Sequence, residues 1–283
     1  MLLQRVVSSI VAITLLVGVL YQLPAEGFLL ITAVVFLLAA WEWTRLAGVV
    51  TLKSRVGYLV LMALLLGGLG VLKLIAPAIT YQRLLFFILR LGLVWWLLAL
   101  GLLLAYPRRL VGWATAKGWR LLFGFGALLP FGAGVLALRF SVGDCQEGAS
   151  WLLTGMLLVW STDIGGYVIG RALGRHQLLP QVSPGKTWEG LIGGLLLALV
   201  TAYGWWHYGP LPRQLPILLW LAVALVVALG AVLGDLTESM LKRMSGLKDS
   251  GNLIPGHGGI LDRIDSLTVA IPVFAWLRLG LLQ

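Results

Sequence analysis

Apolar runs of spanning length recur from end to end of this chain, and they leave it very few folds to choose from. About nine can be placed, near residues 6–23, 28–46, 57–76, 84–105, 120–138, 150–170, 190–208, 215–233 and 266–282, each close to the ~20 residues that cross a bilayer as a helix. In hydrocarbon a backbone has no water to bond, so a span must satisfy its own N–H and C=O groups, which a helix does. The pattern predicts an all-α polytopic integral membrane protein. Composition agrees: 60% of residues are apolar and only 11% charged, with thirteen Trp and a mean hydropathy of +0.97, which excludes a water-soluble globular fold.

Basic residues set the orientation, because Lys and Arg near span ends are retained on the cytoplasmic side. A chain with a cytoplasmic N-terminus puts Arg5, Arg45, Lys53, Arg55, Arg108, Arg109, Lys117, Arg120, Arg171, Arg175, Lys186, Lys242, Arg243, Lys248 and Arg263 on that side. Lys73, Arg83, Arg139, Arg213 and Arg278 fall on the other, and Arg90 lies inside the fourth run. Arg90 and the pair Trp95 and Trp96 fit a span poorly; an interfacial helix there would leave eight spans. This bias accounts for the net charge of +10 through topology and anionic headgroups, so nucleic acid is not an expected partner. Residues 1–20 lack a small-residue cleavage pattern and read as a retained first span. The single cysteine, Cys145, forms no internal disulfide and is expected in a short outer loop.

The acids are distributed very differently. Residues 1–140 contain only Glu26 and Glu42, and the other nine acids follow. The chain therefore divides into an N-terminal transmembrane scaffold, 1–140, of about five spans and a catalytic half, 141–283, of about four. Two polar segments of that half, 161–190 and 235–265, are expected on the cytoplasmic face. The second holds five of the eleven acids, Asp235, Glu238, Asp249, Asp262 and Asp265.

In the first segment Asp163 closes an apolar run, where a charge is costly unless paired; it is either functional or a local capping group. Ser183 and Pro184 suit the N-cap and first position of the next helix, which would put Lys186 and Thr187 in its first turn. A lysine among free helix N–H groups suits a phosphate, and simple snorkelling is the plainer alternative. The Gly-Lys-Thr at 185–187 is not a phosphate-binding Walker loop, because position 180 is Pro rather than Gly. Dinucleotide, zinc-protease and serine-hydrolase motifs are also missing.

In the second segment Asp235 and Glu238 share a face with Ser239 and Lys242 if the eighth run continues as a helix. Ser250, Gly251 and Asn252 read as a turn, and Pro255 to Gly259 as a loop whose N–H groups can approach an anion. Asp262 and Asp265, three apart, open the last span. With Asp235 they make an oxygen-rich set suited to Mg²⁺, against the simpler reading of acids complementing a helix dipole. His257 stands between two roles, hydrogen bonding to substrate and shaping the turn.

The run SMLKRMSGLKDSGNLIPGHGGILDRIDS, residues 239–266, with its Pro-x-His-Gly-Gly core, closely resembles the signature of the phosphatidate cytidylyltransferases, or CDP-diacylglycerol synthases. The segments STDIGGYVIGR and SPGKTWEG are similar to upstream elements of that family. The resemblance is sharp over 160–190 and 235–270. It implies the reaction of CTP with phosphatidate (phosphatidic acid) to give CDP-diacylglycerol and pyrophosphate. It also implies Mg²⁺, as one or two ions with or without a monovalent cation, and a homodimer. The bare chain reads as the bacterial type, multi-pass in the inner membrane with the active site facing the cytoplasm. The family pattern assigns metal binding to Asp235, Asp262 and Asp265. Lys242, Lys248, Asp249 and Arg263 are the expected catalytic groups. Asp163, Lys186, Thr187, Ser239, Arg243, His257, Gly258 and Gly259 are the expected substrate contacts. A secondary transporter and another lipid-phosphate transferase are the alternatives; the first should show repeat symmetry and midplane charges, and the second a different Asp spacing.

Overall fold

The computed structural model describes residues 13–106, 116–140, 145–210, 215–251, 253 and 258–281. His257, in the expected Pro-x-His-Gly-Gly loop, lies outside the described residues. Among the described residues, ten helices and one hairpin follow in order. They are α1 (Ile13–Gln22), α2 (Ala25–Leu46), α3 (Leu52–Ile75), α4 (Ala78–Ala105), α5 (Lys117–Phe140) and α6 (Cys145–Leu173). Then come β1 (Gln177–Leu179), β2 (Ser183–Thr187), α7 (Trp188–Tyr208), α8 (Ile217–Met244), α9 (Leu261–Ile264) and α10 (Leu267–Leu281). Seven of the helices are long and apolar enough to cross a membrane, and α1 and α10 are shorter apolar helices. The chain is an all-α polytopic membrane protein with one small antiparallel hairpin added.

α10 runs through the middle, packed against α4, α5, α6 and α8. Its Phe274 is fully buried against Trp151 of α6 and Trp220 of α8. Lipid is as apolar as these side chains, so helices associate through close packing and hydrogen bonds rather than hydrophobic burial. Both devices are present. The Trp220 indole N–H donates to the Ala202 carbonyl at 2.8 Å, and that of Trp205 to the Thr154 hydroxyl at 2.8 Å. Between α6 and α7 small residues let the backbones touch: a Cβ on Gly194 would stand 2.6 Å from the Thr162 carbonyl, and one on Gly165 2.6 Å from that of Gly193. Leucines and valines on the outer sides, such as Leu64, Val94, Leu97 and Val200, are exposed, as a lipid-facing surface requires.

Several expected boundaries move. α4 is one unbroken helix through Arg90, whose guanidinium lies 4.4 Å from the Phe86 ring centroid. Trp95 and Trp96 are taken up by packing on Phe123. α6 runs on to Leu173 with Asp163 inside it, as the run at 150–170 implied, and Cys145 opens that helix instead of lying in a loop. α8 continues past the expected end at 233 to Met244, carrying its acids and lysine as helical residues.

The start of α7 also differs. Ser183 to Thr187 form a strand, not a helical turn, and the cap is Thr187, whose Oγ1 accepts from Gly190 N–H at 3.0 Å. Pairing decides it: Leu179 lies opposite Ser183 and Gln177 opposite Thr187, so the segment meets its backbone needs in a ladder. The β-branched Thr187 then serves both as the last strand residue and as the cap. Glu189 closes the hairpin base, accepting from Arg175 N–H at 3.2 Å, from His176 N–H at 3.3 Å and meeting His176 Nδ1 at 2.6 Å.

Candidate active site

Four pieces of chain meet at the end of α8. α6 brings Asp163, β2 brings Lys186, the last three turns of α8 bring Asp235, Glu238, Ser239 and Lys242, and the segment through α9 brings Asp262, Asp265 and Ser266. The expected shared face on α8 is realised as i,i+4 pairs. Ser239 Oγ lies 3.4 Å from Asp235 Oδ1, and Lys242 Nζ donates to Glu238 Oε2 at 2.9 Å. Lys186 Nζ reaches across from the hairpin to pair with Asp235 Oδ2. Arg243 Nε donates to the Val182 carbonyl at 3.2 Å and so fastens the same hairpin to α8.

Lys242 is a junction. Its ammonium also donates to Asp262 Oδ1 at 2.9 Å. Asp262 further accepts from Ser250 N–H at 3.0 Å and Gly259 N–H at 2.8 Å, both through Oδ2. Burial would raise its pKa, but the Gly259 N–H and the Lys242 ammonium hold the carboxyl below the ordinary range. Gly258, at φ +80°, turns the chain where a Cβ would stand 2.6 Å from Asp262 Oδ2. Asp262, which the resemblance assigns to a metal, therefore directs both oxygens to donors that fix the loop.

Asp265 is in a different position. A Cβ on Gly234 would stand 2.4 Å from its carbonyl, so α8 and the Asp265 backbone are in direct contact. Ser266 N–H donates to Asp265 Oδ1 at 2.7 Å. Burial, with the charge of nearby Asp235 added, pushes the Asp265 carboxyl up to about 6. Asp163 joins this pair: it is close enough to feel the charges of Asp265, Asp235 and Lys186, and Ser266 Oγ lies 3.4 Å from its Oδ1. Glu238 is buried, its Oε1 meets no N–H or hydroxyl donor among the described residues, and its carboxyl lies within hydrogen-bonding reach of Asp265. Among the described residues no three acid, histidine or cysteine side chains already converge as metal ligands. Lys248, Asp249 and Arg243 are exposed at the edge of the site, with Asp249 beside Gly258. Arg263 is exposed on α9.

The cationic side chains Lys186, Arg243, Lys248 and Arg263 around these carboxylates, near helix ends of a membrane protein, are the groups suited to meeting phosphates. Residues 3–279 match the model of the cytidylyltransferase family. The chain belongs to this family. It is 43% identical over 275 residues to a Pseudomonas aeruginosa protein named phosphatidate cytidylyltransferase, covering 97% of this chain and 96% of that one. A Haemophilus influenzae protein of the same name is 41% identical over 288 residues, covering 98% of each. With one from Bacillus subtilis the likeness is confined to 132 residues at 43% identity, 47% of this chain and 48% of that one. The fold also brings in a residue that motif reading passed over: Glu42 of α2 reaches Ser250, Ile260 and Leu261. Its sequence signal was its rarity, as one of two acids before residue 141.

Proposed function

We propose that the chain transfers the cytidylyl group of CTP to phosphatidate, giving CDP-diacylglycerol and pyrophosphate. The observation that carries this is the near-full-length identity to the two bacterial phosphatidate cytidylyltransferases. A transporter or a different lipid-phosphate transferase has no comparable support, since the family match runs through both polar segments and nearly all the spans.

In this reaction an oxygen of the phosphatidate phosphate forms a bond to the α-phosphorus of CTP. The bond from that phosphorus to the oxygen bridging to the β-phosphate breaks, and pyrophosphate leaves with the electron pair. The attacking oxygen is already anionic, so no serine or cysteine nucleophile is needed. The enzyme's task is to bring two polyanions into line and to offset charge on the leaving group. Lys186, on the hairpin over Asp235, is placed to turn to a phosphate, and Arg243, Lys248 and Arg263 add positive charge at the rim. Lys242 keeps Glu238 and Asp262 in place beneath them.

The residues present suit Mg²⁺. Asp235 and Asp265 face each other's charge with Asp163 alongside, and the buried Glu238 Oε1 lacks a donor, so the acids outnumber the cations that meet them. Mg²⁺ commonly takes one or two carboxylates and completes its shell with waters and substrate phosphates, so a ready-made cage is not required. Asp235 and Asp265 would hold the ion, with Asp262 keeping their loop in shape. When bound, it would draw substrate phosphate oxygens together and offset the charge of pyrophosphate. The same reading places the enzyme in a bacterial inner membrane as a homodimer with the site facing the cytoplasm. The bias of basic residues supports that orientation.

The test is to incubate detergent-solubilised protein with labelled CTP, phosphatidate and Mg²⁺, with and without EDTA. Label entering the lipid phase only when metal is present supports both reaction and ion. Lipid label that persists in EDTA removes the metal, and no label from a folded preparation removes the reaction.

A further inference from the structure

Glu42 lies four residues from the end of α2, in the stretch read as scaffold, and is 3% exposed. A carboxylate this deep in a membrane protein must be compensated or it is costly. Its donors come from residues about 210 positions away. Ile260 N–H donates to Oε1 at 3.1 Å; Leu261 N–H and the Ser250 hydroxyl donate to Oε2 at 2.8 and 3.1 Å. The contact is close on both sides: a Cβ on Gly251 would stand 2.2 Å from Oε1, and one on Gly259 2.4 Å from Oε2.

These donors interleave with those of Asp262. Ser250 gives its hydroxyl to Glu42 and its N–H to Asp262, while Gly259 N–H goes to Asp262 and the next two N–H groups go to Glu42. Two carboxylates thus clamp the same two stretches, 250–251 and 259–261. α9 has no side-chain cap of its own, and the N–H groups at its start are met by Glu42 instead. The end of α2 also holds α8: the Ser245 hydroxyl donates to the Leu46 carbonyl. Trp43 Nε1 donates to the Arg120 carbonyl at 2.9 Å, and Arg120 Nη2 to the Met244 carbonyl at 3.1 Å. α2 therefore sets where α8 ends and where α9 begins; α8 carries Asp235 and Lys242, α9 carries Asp262, and Asp265 caps its C-terminal end.

We propose that Glu42 is a positioning residue for cytidylyl transfer, holding residues 250–251 and 259–261 so that Asp262 and Asp265 keep their places relative to α8. It is buried with its carboxylate taken up by these donors, so it acts through them. The inference rests on the reading of 235–265 as the reacting segment.

The experiment compares purified full-length wild type with Glu42→Gln, Glu42→Asp and Ser250→Ala, measuring kcat, KM for CTP and phosphatidate, and amide hydrogen exchange along the whole chain. Gln keeps the length but turns a donor toward N–H groups, and Asp falls short by a methylene. For Glu42→Gln the expected result is a kcat lower by about 10- to 100-fold, KM values within about 3-fold, and faster exchange confined to 249–262, as a displacement of about 1 Å implies. Ser250→Ala, which removes one of the three donors, should lower kcat by about 3- to 10-fold on the same scale. A folded Glu42→Gln enzyme with wild-type kcat overturns the proposal, whether or not exchange rises. If the Glu42 variants do not fold, a normal kcat in Ser250→Ala overturns it. Asp265→Asn separates the two readings: turnover surviving in that variant discards the site itself, whereas its loss beside a normal Glu42→Gln discards only the role of Glu42.

Discussion

Two lysines of the site predict opposite outcomes, because their surroundings differ. Lys242 is largely buried between Glu238 and Asp262, and removing its charge leaves two carboxylates facing each other with less water to separate them. Lys242→Met should therefore cost about 3–5 kcal/mol of stability, the range for breaking one partner of a buried pair, read as a clear drop in melting temperature in detergent. Lys186 keeps 26% of its side chain exposed and pairs with Asp235. Lys186→Met should leave melting nearly unchanged while product formation falls by about 100-fold, in line with losing one charge aimed at a reacting phosphate. Asp265→Asn should also lower labelled lipid formation by at least about 100-fold. A variant that keeps wild-type turnover at limiting Mg²⁺ would sink the assignment of Asp265. The crowding of five acids into 235–265 was legible in the sequence. Their division of labour was not, because whether a carboxylate finds N–H donors, as Asp262 does, or another carboxylate, as Asp265 does, depends on chain brought from elsewhere.

The contact between α6 and α7 is an arrangement of glycines, and it sets where Asp163 stands. Gly194→Leu would drive a side chain into the Thr162 carbonyl, one residue from Asp163, whereas Gly204 on the same helix has nothing within 4 Å of a Cβ. Gly194→Leu is expected to lower the melting temperature and abolish activity, and Gly204→Leu to leave both near wild type. Equal behaviour of the two would show that this packing is not what places Asp163. The hairpin makes a separate point. A Ser-Pro pair before an apolar run is a fair helix start, and only the pairing of Gln177 with Thr187 moved the cap four residues on. Thr187→Ala should cost about 1 kcal/mol through the lost cap, visible as faster exchange at the start of α7.

At the scale of the molecule, the residues of the proposed site gather toward one end of long apolar helices, and the proposed reaction requires a two-tailed lipid and a water-soluble nucleotide both to reach them. In mixed micelles the rate should follow the mole fraction of phosphatidate in the surface rather than its bulk concentration. A rate that tracks bulk concentration alone would argue against delivery through the bilayer. Sequence alone determined that the chain lives in lipid, where the main helices run and where the acids crowd, because span length, hydropathy and residue order are local quantities. Tertiary structure decided how far α6 and α8 extend, that a strand precedes α7, and that Glu42 closes on the 250–261 segment. The reason is physical. In a membrane interior a polar group must find a partner wherever the fold supplies one, and a partner about 210 residues away leaves no periodic trace in the sequence.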